Sequence, residues 1–117
     1  MIVLLTKDLF FVPTLRSAAT KQGVEIVVAL SHESEKLTML SSEDVSAWII
    51  DLNSVPIAEL PAVVNSLQRR FPQAKRIAFG PHVQEQRLQA AQTAGCEQVL
   101  SRGQFDSQLD RLLPAWI

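Results

Sequence analysis

Short apolar runs alternate with segments of helical periodicity along the chain. The runs predict strands at Ile2–Leu5, Val24–Leu30, Ala47–Ile50, Arg76–Phe79 and Gln98–Leu100. The second and third runs are almost continuously apolar, which is typical of parallel strands that are buried on both faces. This pattern predicts a sheet covered by helices on its two sides.

Between these strands, apolar residues spaced by three or four positions predict four helices. Their core-facing residues are Phe11, Leu15, Ala18 and Ala19; Leu60, Val63, Val64 and Leu67; Leu88, Ala91 and Ala94; and Phe105, Leu109, Leu112 and Leu113. Gly23 and Gly95 are placed to end the first and third of them. A fifth helix, from about Glu33 to Leu40, has few apolar anchors.

Strict alternation of strands and helices demands a parallel sheet with right-handed crossovers. Five strands in residues 1–117 favour an α/β fold with one flavodoxin-like domain and the strand order 2-1-3-4-5. Ligand chemistry in such sheets lies at the carboxyl ends of the strands. The residues expected there are Thr6, Lys7, Asp8, Asp51, Asn53, Gly80, Pro81, His82, Ser101 and Arg102.

Composition narrows the classes of function. Hydrophobic residues make up 47% of the chain, which suits a covered sheet, and a net charge of -1 gives no electrostatic basis for binding nucleic acid or anionic lipid. Lys7 and Asp8 interrupt the apolar start too early for a signal peptide or a membrane span, so we expect a cytoplasmic protein. Cys96, the single cysteine, excludes an internal disulfide and is expected to be a small buried core residue.

Two segments resemble the receiver domains of response regulators (the CheY-like family), and the likeness covers the chain. The segment Trp48–Asn53 resembles the third receiver strand, whose final aspartate, here Asp51, accepts a phosphoryl group. The segment Ala94–Leu100 is similar to the run that leads into the fifth receiver strand. The resemblance implies a signalling function and makes Asp51 the equivalent of the phosphoacceptor.

The chain departs from the receiver pattern at the metal site. Receivers end their first strand with two acidic residues that hold a divalent cation, and the matching positions here are Thr6 and Lys7, with Asp8 one residue later. Magnesium takes an octahedral set of oxygen ligands, and an ammonium group nearby repels it. We therefore expect weak metal binding or none, with Asp8 and Asp51 as the only weak candidates.

Further departures lie after the fourth and fifth strands. The resemblance places Gly80 where receivers carry a threonine or serine hydroxyl, and Pro81 has no N–H to give a phosphate. Arg102 stands where receivers have a lysine. Because phosphoryl transfer depends on metal and hydrogen-bond donors, these losses favour a degenerate pseudo-receiver.

Lys7 and Arg102 are expected to converge on Asp51, and we hypothesise that Lys7 replaces the charge of the missing metal. The alternative is that Asp51 is a leftover acid at a solvated strand end. His82 is either a proton-sensitive or anion-binding group near Arg102, or an exposed loop or capping histidine. The apolar C-terminal segment, 112–117, either packs back on the domain or forms a surface for association.

The preferred function is an atypical stand-alone receiver that binds another signalling protein, a kinase or an output protein, without a cofactor or catalysis of its own; a homodimer is left open. One alternative is a phosphorylatable single-domain response regulator that uses Asp51 and Mg²⁺. The other is a small anion-binding module built from Thr6, Lys7, His82 and Arg102.

Overall fold

The computed structural model describes residues 1–117. The strands are β1 (Ile2–Leu5), β2 (Ile26–Ala29), β3 (Ala47–Asp51), β4 (Lys75–Gly80) and β5 (Gln98–Ser101). The helices are α1 (Val12–Lys21), α2 (Glu35–Thr38), α3 (Leu60–Arg70), α4 (Glu85–Ala94) and α5 (Arg102–Trp116). None of the helices combines the length and the apolar character needed to cross a membrane. Three short 3-10 segments lie at Ser42–Asp44, Leu52–Ser54 and Ile57–Glu59.

All five strands pair in parallel, in the order β2-β1-β3-β4-β5, which confirms the predicted topology. Three strands end one residue later than predicted, because Asp51, Gly80 and Ser101 continue the pairing at the carboxyl edge, and β4 also begins one residue earlier. The second strand is shorter than the predicted Val24–Leu30, because only Ile26–Ala29 pair with β1. In this register Asp51 lies beside Phe79, and Gly80 lies beside Ser101. The aspartate is therefore part of the sheet and does not lie in the following loop.

The weakly anchored second helix is shorter than the sequence predicts. It forms one turn, α2, and Leu37 is its single buried residue. One apolar anchor contributes too little packing to support a longer helix, because helix formation starts from a costly nucleus. The chain then reaches β3 through the 3-10 segment Ser42–Asp44.

The sheet separates two apolar cores. On one face α2, α3 and α4 cover a core that contains Trp48 and Phe71. On the other face α1 and α5 cover a core that contains Phe79 and Phe105, whose rings stack at 4.2 Å between centroids. Both faces are thus closed, and the carboxyl edge remains as the open end where side chains can meet.

The apolar C-terminal segment packs on the domain itself. Helix α5 continues to Trp116, whose side chain is 2% exposed and stacks on Phe105. The indole N–H of Trp116 donates to the side-chain oxygen of Gln98 at 2.9 Å. Of the two alternatives for this segment, the structure therefore has the one in which it packs back, although Ile117 stays 53% exposed.

Candidate functional site

Asp51 ends β3 and is 1% exposed. Its Oδ2 accepts hydrogen bonds from the hydroxyl of Thr6 at 2.8 Å and from the hydroxyl of Ser54 at 3.1 Å. Its Oδ1 accepts the backbone N–H of Asn53 at 3.1 Å. The carboxylate is thus buried and held by uncharged donors, so it is not a solvated acid at a strand end.

Lys7 lies beside Asp51 but does not pair with it. Its side chain is exposed, and it forms no ion pair with any carboxylate. The backbone N–H of Lys7 instead donates to the hydroxyl of Ser54 at 2.8 Å. The expected Lys7–Asp51 ion pair is therefore not formed, because hydroxyl groups satisfy the carboxylate while the ammonium keeps its water.

Arg102 turns away from Asp51 and binds Asp8. One of its terminal nitrogens lies 3.3 Å from Asp8 Oδ2, and its guanidinium lies 4.9 Å from the ring centroid of Phe11. A longer ion pair, at 3.9 Å, joins it to Asp106 one helical turn further along α5. The prediction that Arg102 converges on Asp51 is thus wrong, since Asp8 is the carboxylate within its reach.

The β1–α1 loop is fixed by Asp8. Its Oδ1 accepts the backbone N–H of Phe10 at 3.0 Å, while its own N–H donates to the hydroxyl of Thr6 at 3.0 Å. Because Thr6 also donates to Asp51, a continuous chain of hydrogen bonds joins the aspartate of β3 to the loop. Asp8 therefore orders the backbone of the β1–α1 loop.

The two candidate metal ligands, Asp8 and Asp51, already have protein partners. Both carboxylate oxygens of Asp51 accept protein hydrogen bonds, and those of Asp8 bind Phe10 N–H and Arg102. Across residues 1–117, no three side chains among histidine, cysteine, aspartate and glutamate gather into a group that could hold a metal. To bind magnesium, which takes oxygen ligands in near-octahedral geometry, Asp8 would have to exchange its contact with Arg102 for the cation.

The end of β4 is closed by packing. A Cβ atom added to Gly80 would lie 3.2 Å from the Cβ of Leu52, which is closer than an ordinary contact. Leu52 thus fills the space in which a side chain at position 80 would start. Pro81 offers no N–H. His82 is exposed and makes no hydrogen bond or ion pair, which matches the alternative of an exposed loop histidine.

A cleft of about 490 Å³ opens beside Asp51. Its lining residues are Lys7, Asp8, Asp51, Asn53, Ser54, Val55, Pro56 and Arg87. Of the residues expected at this edge, the cleft brings together Lys7, Asp8, Asp51 and Asn53, with Thr6 bonded beneath them. Gly80, Pro81, His82 and Arg102 do not line it.

Sequence reasoning missed Ser54 and Arg87. Ser54 had a local signal, because a hydroxyl three residues after an aspartate can bond back to it. Arg87 had none, since it reaches from α4 to the carbonyls of Leu52 and Val55, at 2.9 Å each, across more than thirty residues of sequence. Its guanidinium ties α4 to the loop that carries Asn53 and Ser54.

Cys96 lies away from the cleft. It precedes β5, whose carboxyl end is Ser101, and it is 8% exposed in the core beneath α3 and α4. Burial raises the pKa of its thiol to about 12, and the nearby charge of Arg76 only partly opposes this rise. The thiol is therefore protonated at neutral pH, which agrees with its predicted place in the core.

Comparisons of sequence alone give no relatives. No protein-family model matches the chain, and no curated protein has a significantly similar sequence. The similar proteins described next are therefore found by comparing three-dimensional structures.

Solved structures do resemble the chain. A CheY-like protein, TadZ from Pseudomonas aeruginosa, has a TM-score of 0.75 and 23% identity over 99% of this chain and 98% of its own. A response regulator from Thermotoga maritima has a TM-score of 0.78 and 16% identity over 99% of this chain and 95% of its own. A putative pilus assembly protein, CpaE from Burkholderia thailandensis, has a TM-score of 0.72 and 20% identity over 97% of this chain and 94% of its own.

These similarities span nearly the full length of both partners in each pair, and the strand order agrees with them. Because the sequence identities are below 25%, these similarities establish the fold alone. The chain has the fold of the CheY-like response-regulator receiver domains.

Proposed function

We propose that this chain is an atypical receiver that acts by binding another protein, without magnesium-dependent phosphorylation of Asp51 and without catalysis of its own. The observation that carries the proposal is the state of the Asp51 carboxylate. It is 1% exposed, and three protein hydrogen bonds hold its two oxygens. An acceptor of a phosphoryl group must present an oxygen to the incoming phosphorus atom, and burial and these hydrogen bonds oppose that approach.

The surroundings of Asp51 also lack the groups that stabilise a transferred phosphoryl group. Gly80 has no hydroxyl, and Pro81 has no N–H. The carboxylate of Asp8, which could assist a cation, is engaged by Arg102 at 3.3 Å. Removing one donor from a comparable anion site costs about 3 kcal/mol, so the combined loss supports a negligible rate of phosphorylation.

The intact sheet and the ordered loops at its carboxyl edge support binding to another protein. The sheet and its helices are intact, and the loops at the carboxyl edge are fixed by hydrogen bonds. Ordered loops cost little conformational entropy when a partner binds. We propose that the partner is a protein of a signalling or assembly complex, since CpaE, which shares the fold, is a putative pilus assembly protein.

The test is phosphorylation by a small-molecule donor. The purified protein is incubated with acetyl phosphate and Mg²⁺, and intact-mass spectrometry measures the fraction that gains one phosphoryl group. Asp51→Asn, which removes the acceptor, is the matched control, and a known phosphorylatable receiver shows that the reagent is active. We expect the wild-type protein to gain no more label than Asp51→Asn.

Label that is present in the wild-type protein and absent in Asp51→Asn would contradict the proposal. It would identify the chain as a phosphorylatable response regulator. Beryllofluoride with Mg²⁺ provides a second measurement, because it mimics the acyl phosphate without a chemical step. Chemical-shift changes around Asp51 on its addition would count against the proposal in the same way.

A further inference from the structure

Large apolar side chains are exposed in the loops next to residues that line the Asp51 cleft. Phe10 is 95% exposed and Leu9 is 58% exposed in the loop before α1, and we call this pair the α1 rim. Val83 is 74% exposed before α4 and Ile57 is 40% exposed before α3, and we call this pair the α3/α4 rim. Single exposed apolar residues are ordinary, but several at one edge of a sheet mark a surface for association.

The α1 rim is held in a fixed position. Asp8 accepts the N–H of Phe10 at 3.0 Å and binds Arg102 at 3.3 Å, so the loop is tied to α5. The N–H of Asp8 donates to Thr6, which ties the same loop to Asp51. An aromatic side chain on an ordered loop is suited to be an anchor, because little entropy is lost when it is buried.

The α3/α4 rim offers a place for such an anchor. Ile57 and Val83 line a shallow cleft of about 490 Å³ together with the first turn of α4. Arg87 lines this cleft and also the Asp51 cleft, so the two adjoin. The rims belong to opposite faces of the sheet, because α1 packs with α5 on one face and α3 and α4 pack on the other.

Each rim has an exposed charged residue beside it, and the two are of opposite sign; Arg87, which also lines the α3/α4 rim cleft, is turned to the carbonyls of Leu52 and Val55. Lys7, next to the α1 rim, is exposed and has no ion-pair partner within the chain. Glu85, in the α3/α4 rim cleft, is likewise exposed and unpaired. One side of the surface therefore has an exposed aromatic side chain and a cation, and the other has two apolar side chains and an anion in a largely polar cleft. Such an arrangement can pair with a second copy of itself across a two-fold axis.

We propose that a second copy of this chain docks on the carboxyl edge, with a two-fold axis through the Asp51 cleft. Phe10 of each copy then packs between Ile57 and Val83 of the other copy. Lys7 of each copy faces Glu85 of the other. The dimer closes both Asp51 clefts from solvent, and this inference does not depend on the function proposed above.

Disulfide trapping between single-site variants tests the contact. Phe10→Cys is mixed with Val83→Cys under mild oxidation, and free thiols are alkylated before a non-reducing gel. The native Cys96 does not interfere, because it is only 8% exposed. We expect a covalent dimer in the mixture that exceeds the dimer from either variant alone. Met39→Cys mixed with Val83→Cys is the control, since Met39 is 85% exposed but follows α2.

The symmetry of the assembly is tested with both cysteines in one chain. Phe10→Cys/Val83→Cys should stop at the covalent dimer, because a two-fold interface is closed. A ladder of higher species would overturn the two-fold arrangement, since it would show a head-to-tail contact.

Sedimentation equilibrium measures the strength of the dimer. Phe10→Ser should raise its Kd about tenfold or more, whereas Met39→Ser should leave it unchanged. Lys7→Glu should raise the Kd about fivefold, and Lys7→Glu/Glu85→Lys should restore it. A wild-type protein that stays monomeric at all accessible concentrations, with trapping no greater than the control, would overturn the proposal. A dimer that is unaffected by Phe10→Ser would do the same.

Discussion

The carboxylate of Asp51 is held by groups that carry no charge. Two hydroxyls and one backbone N–H, from Thr6, Ser54 and Asn53, satisfy it within 3.1 Å. A hydrogen bond to an ionised group contributes roughly 1.5–3 kcal/mol, and it does so without the cost of burying an ammonium. Asp51 therefore joins the loop after β1 to the loop after β3.

This arrangement predicts the effect of Asp51→Ala. The substitution strips Thr6 and Ser54 of their shared acceptor in a buried site, so the free energy of unfolding should fall by about 2–4 kcal/mol, as measured by urea denaturation. Lys7→Ala is the matched control and should change stability by less than about 0.5 kcal/mol, because its side chain is exposed and unpaired. An equal loss of unfolding free energy in both variants would instead indicate that Lys7 and Asp51 form the ion pair expected from the sequence.

Cys96 gives a prediction about pH. Burial raises the pKa of its thiol from 9.0 to about 12 in the folded protein, whereas the unfolded chain ionises near the ordinary value. The folded state thus keeps a proton that the unfolded state loses, so this contribution to stability is complete below about pH 9 and is lost as the pH rises towards 12. Urea denaturation across this range should show a steeper fall for the wild-type protein than for Cys96→Ala. Equal slopes would contradict the prediction.

At the scale of elements, the 3-10 segment Leu52–Ser54 connects the sheet to two neighbours. Leu52 packs against Gly80 at the end of β4, and its carbonyl accepts a hydrogen bond from Arg87 of α4. The loop after β3 is thereby held from two directions. The packing against Gly80 and the hydrogen bond from Arg87 can each be changed by a separate substitution.

Gly80→Thr tests the packing side of this connection. Its Cβ would meet Leu52 at 3.2 Å, so we expect a loss of about 1–3 kcal/mol in unfolding free energy through overpacking. Gly103→Ala is the control glycine, because a Cβ there meets nothing within 4 Å. Leu52→Ala removes Cδ1 and Cγ, which would lie 3.4 and 3.7 Å from the added Cβ, but keeps the Cβ at 3.2 Å. Combining it with Gly80→Thr should therefore cost somewhat less than the sum of the two single changes, and strict additivity would show that the outer part of the Leu52 side chain does not touch position 80.

Arg87→Gln tests the hydrogen-bonded side. The carbonyls of Leu52 and Val55 lose their charged donor, so stability should fall by about 1–3 kcal/mol. Amide hydrogen exchange in the segment 52–55 should accelerate more than exchange in the strands, because the loop opens locally. Gln86→Ala, an exposed neighbour on α4, is the control. Exchange that is unchanged in Arg87→Gln would contradict a role for Arg87 in fixing this loop.

At the scale of the whole molecule, the C-terminal helix closes one of the two cores. Trp116 is 2% exposed and packs on Phe105, so Trp116→Ala should lower the free energy of unfolding by about 3–5 kcal/mol in urea denaturation. Deletion of Ile117, which is 53% exposed, should cost less than about 1 kcal/mol. If Trp116→Ala were as stable as the deletion, the helix end would not be docked in solution.

The fold was predictable because it follows from local pattern. Apolar runs and helical stripes fix the type of each element, and the alternation of elements fixes a parallel sheet. The site was predictable only in its location. Whether Lys7 turns inward, or whether Arg87 reaches the loop of Leu52, depends on competition among contacts that are distant in sequence. Hydroxyl groups bind Asp51 at a lower desolvation cost than the ammonium of Lys7 would, and the pattern of apolar residues in the sequence does not reveal that preference.

The two cores each contain one tryptophan. Trp48 lies in the core covered by α2, α3 and α4, with no partner for its indole nitrogen, whereas Trp116 lies in the core covered by α1 and α5 and donates to Gln98. The chain has no tyrosine, so emission comes almost entirely from these two indoles. Each side of the molecule thus carries its own intrinsic fluorophore, and replacing either one by phenylalanine leaves a single optical reporter. Time-resolved fluorescence during refolding can then show whether the two cores form together or one after the other.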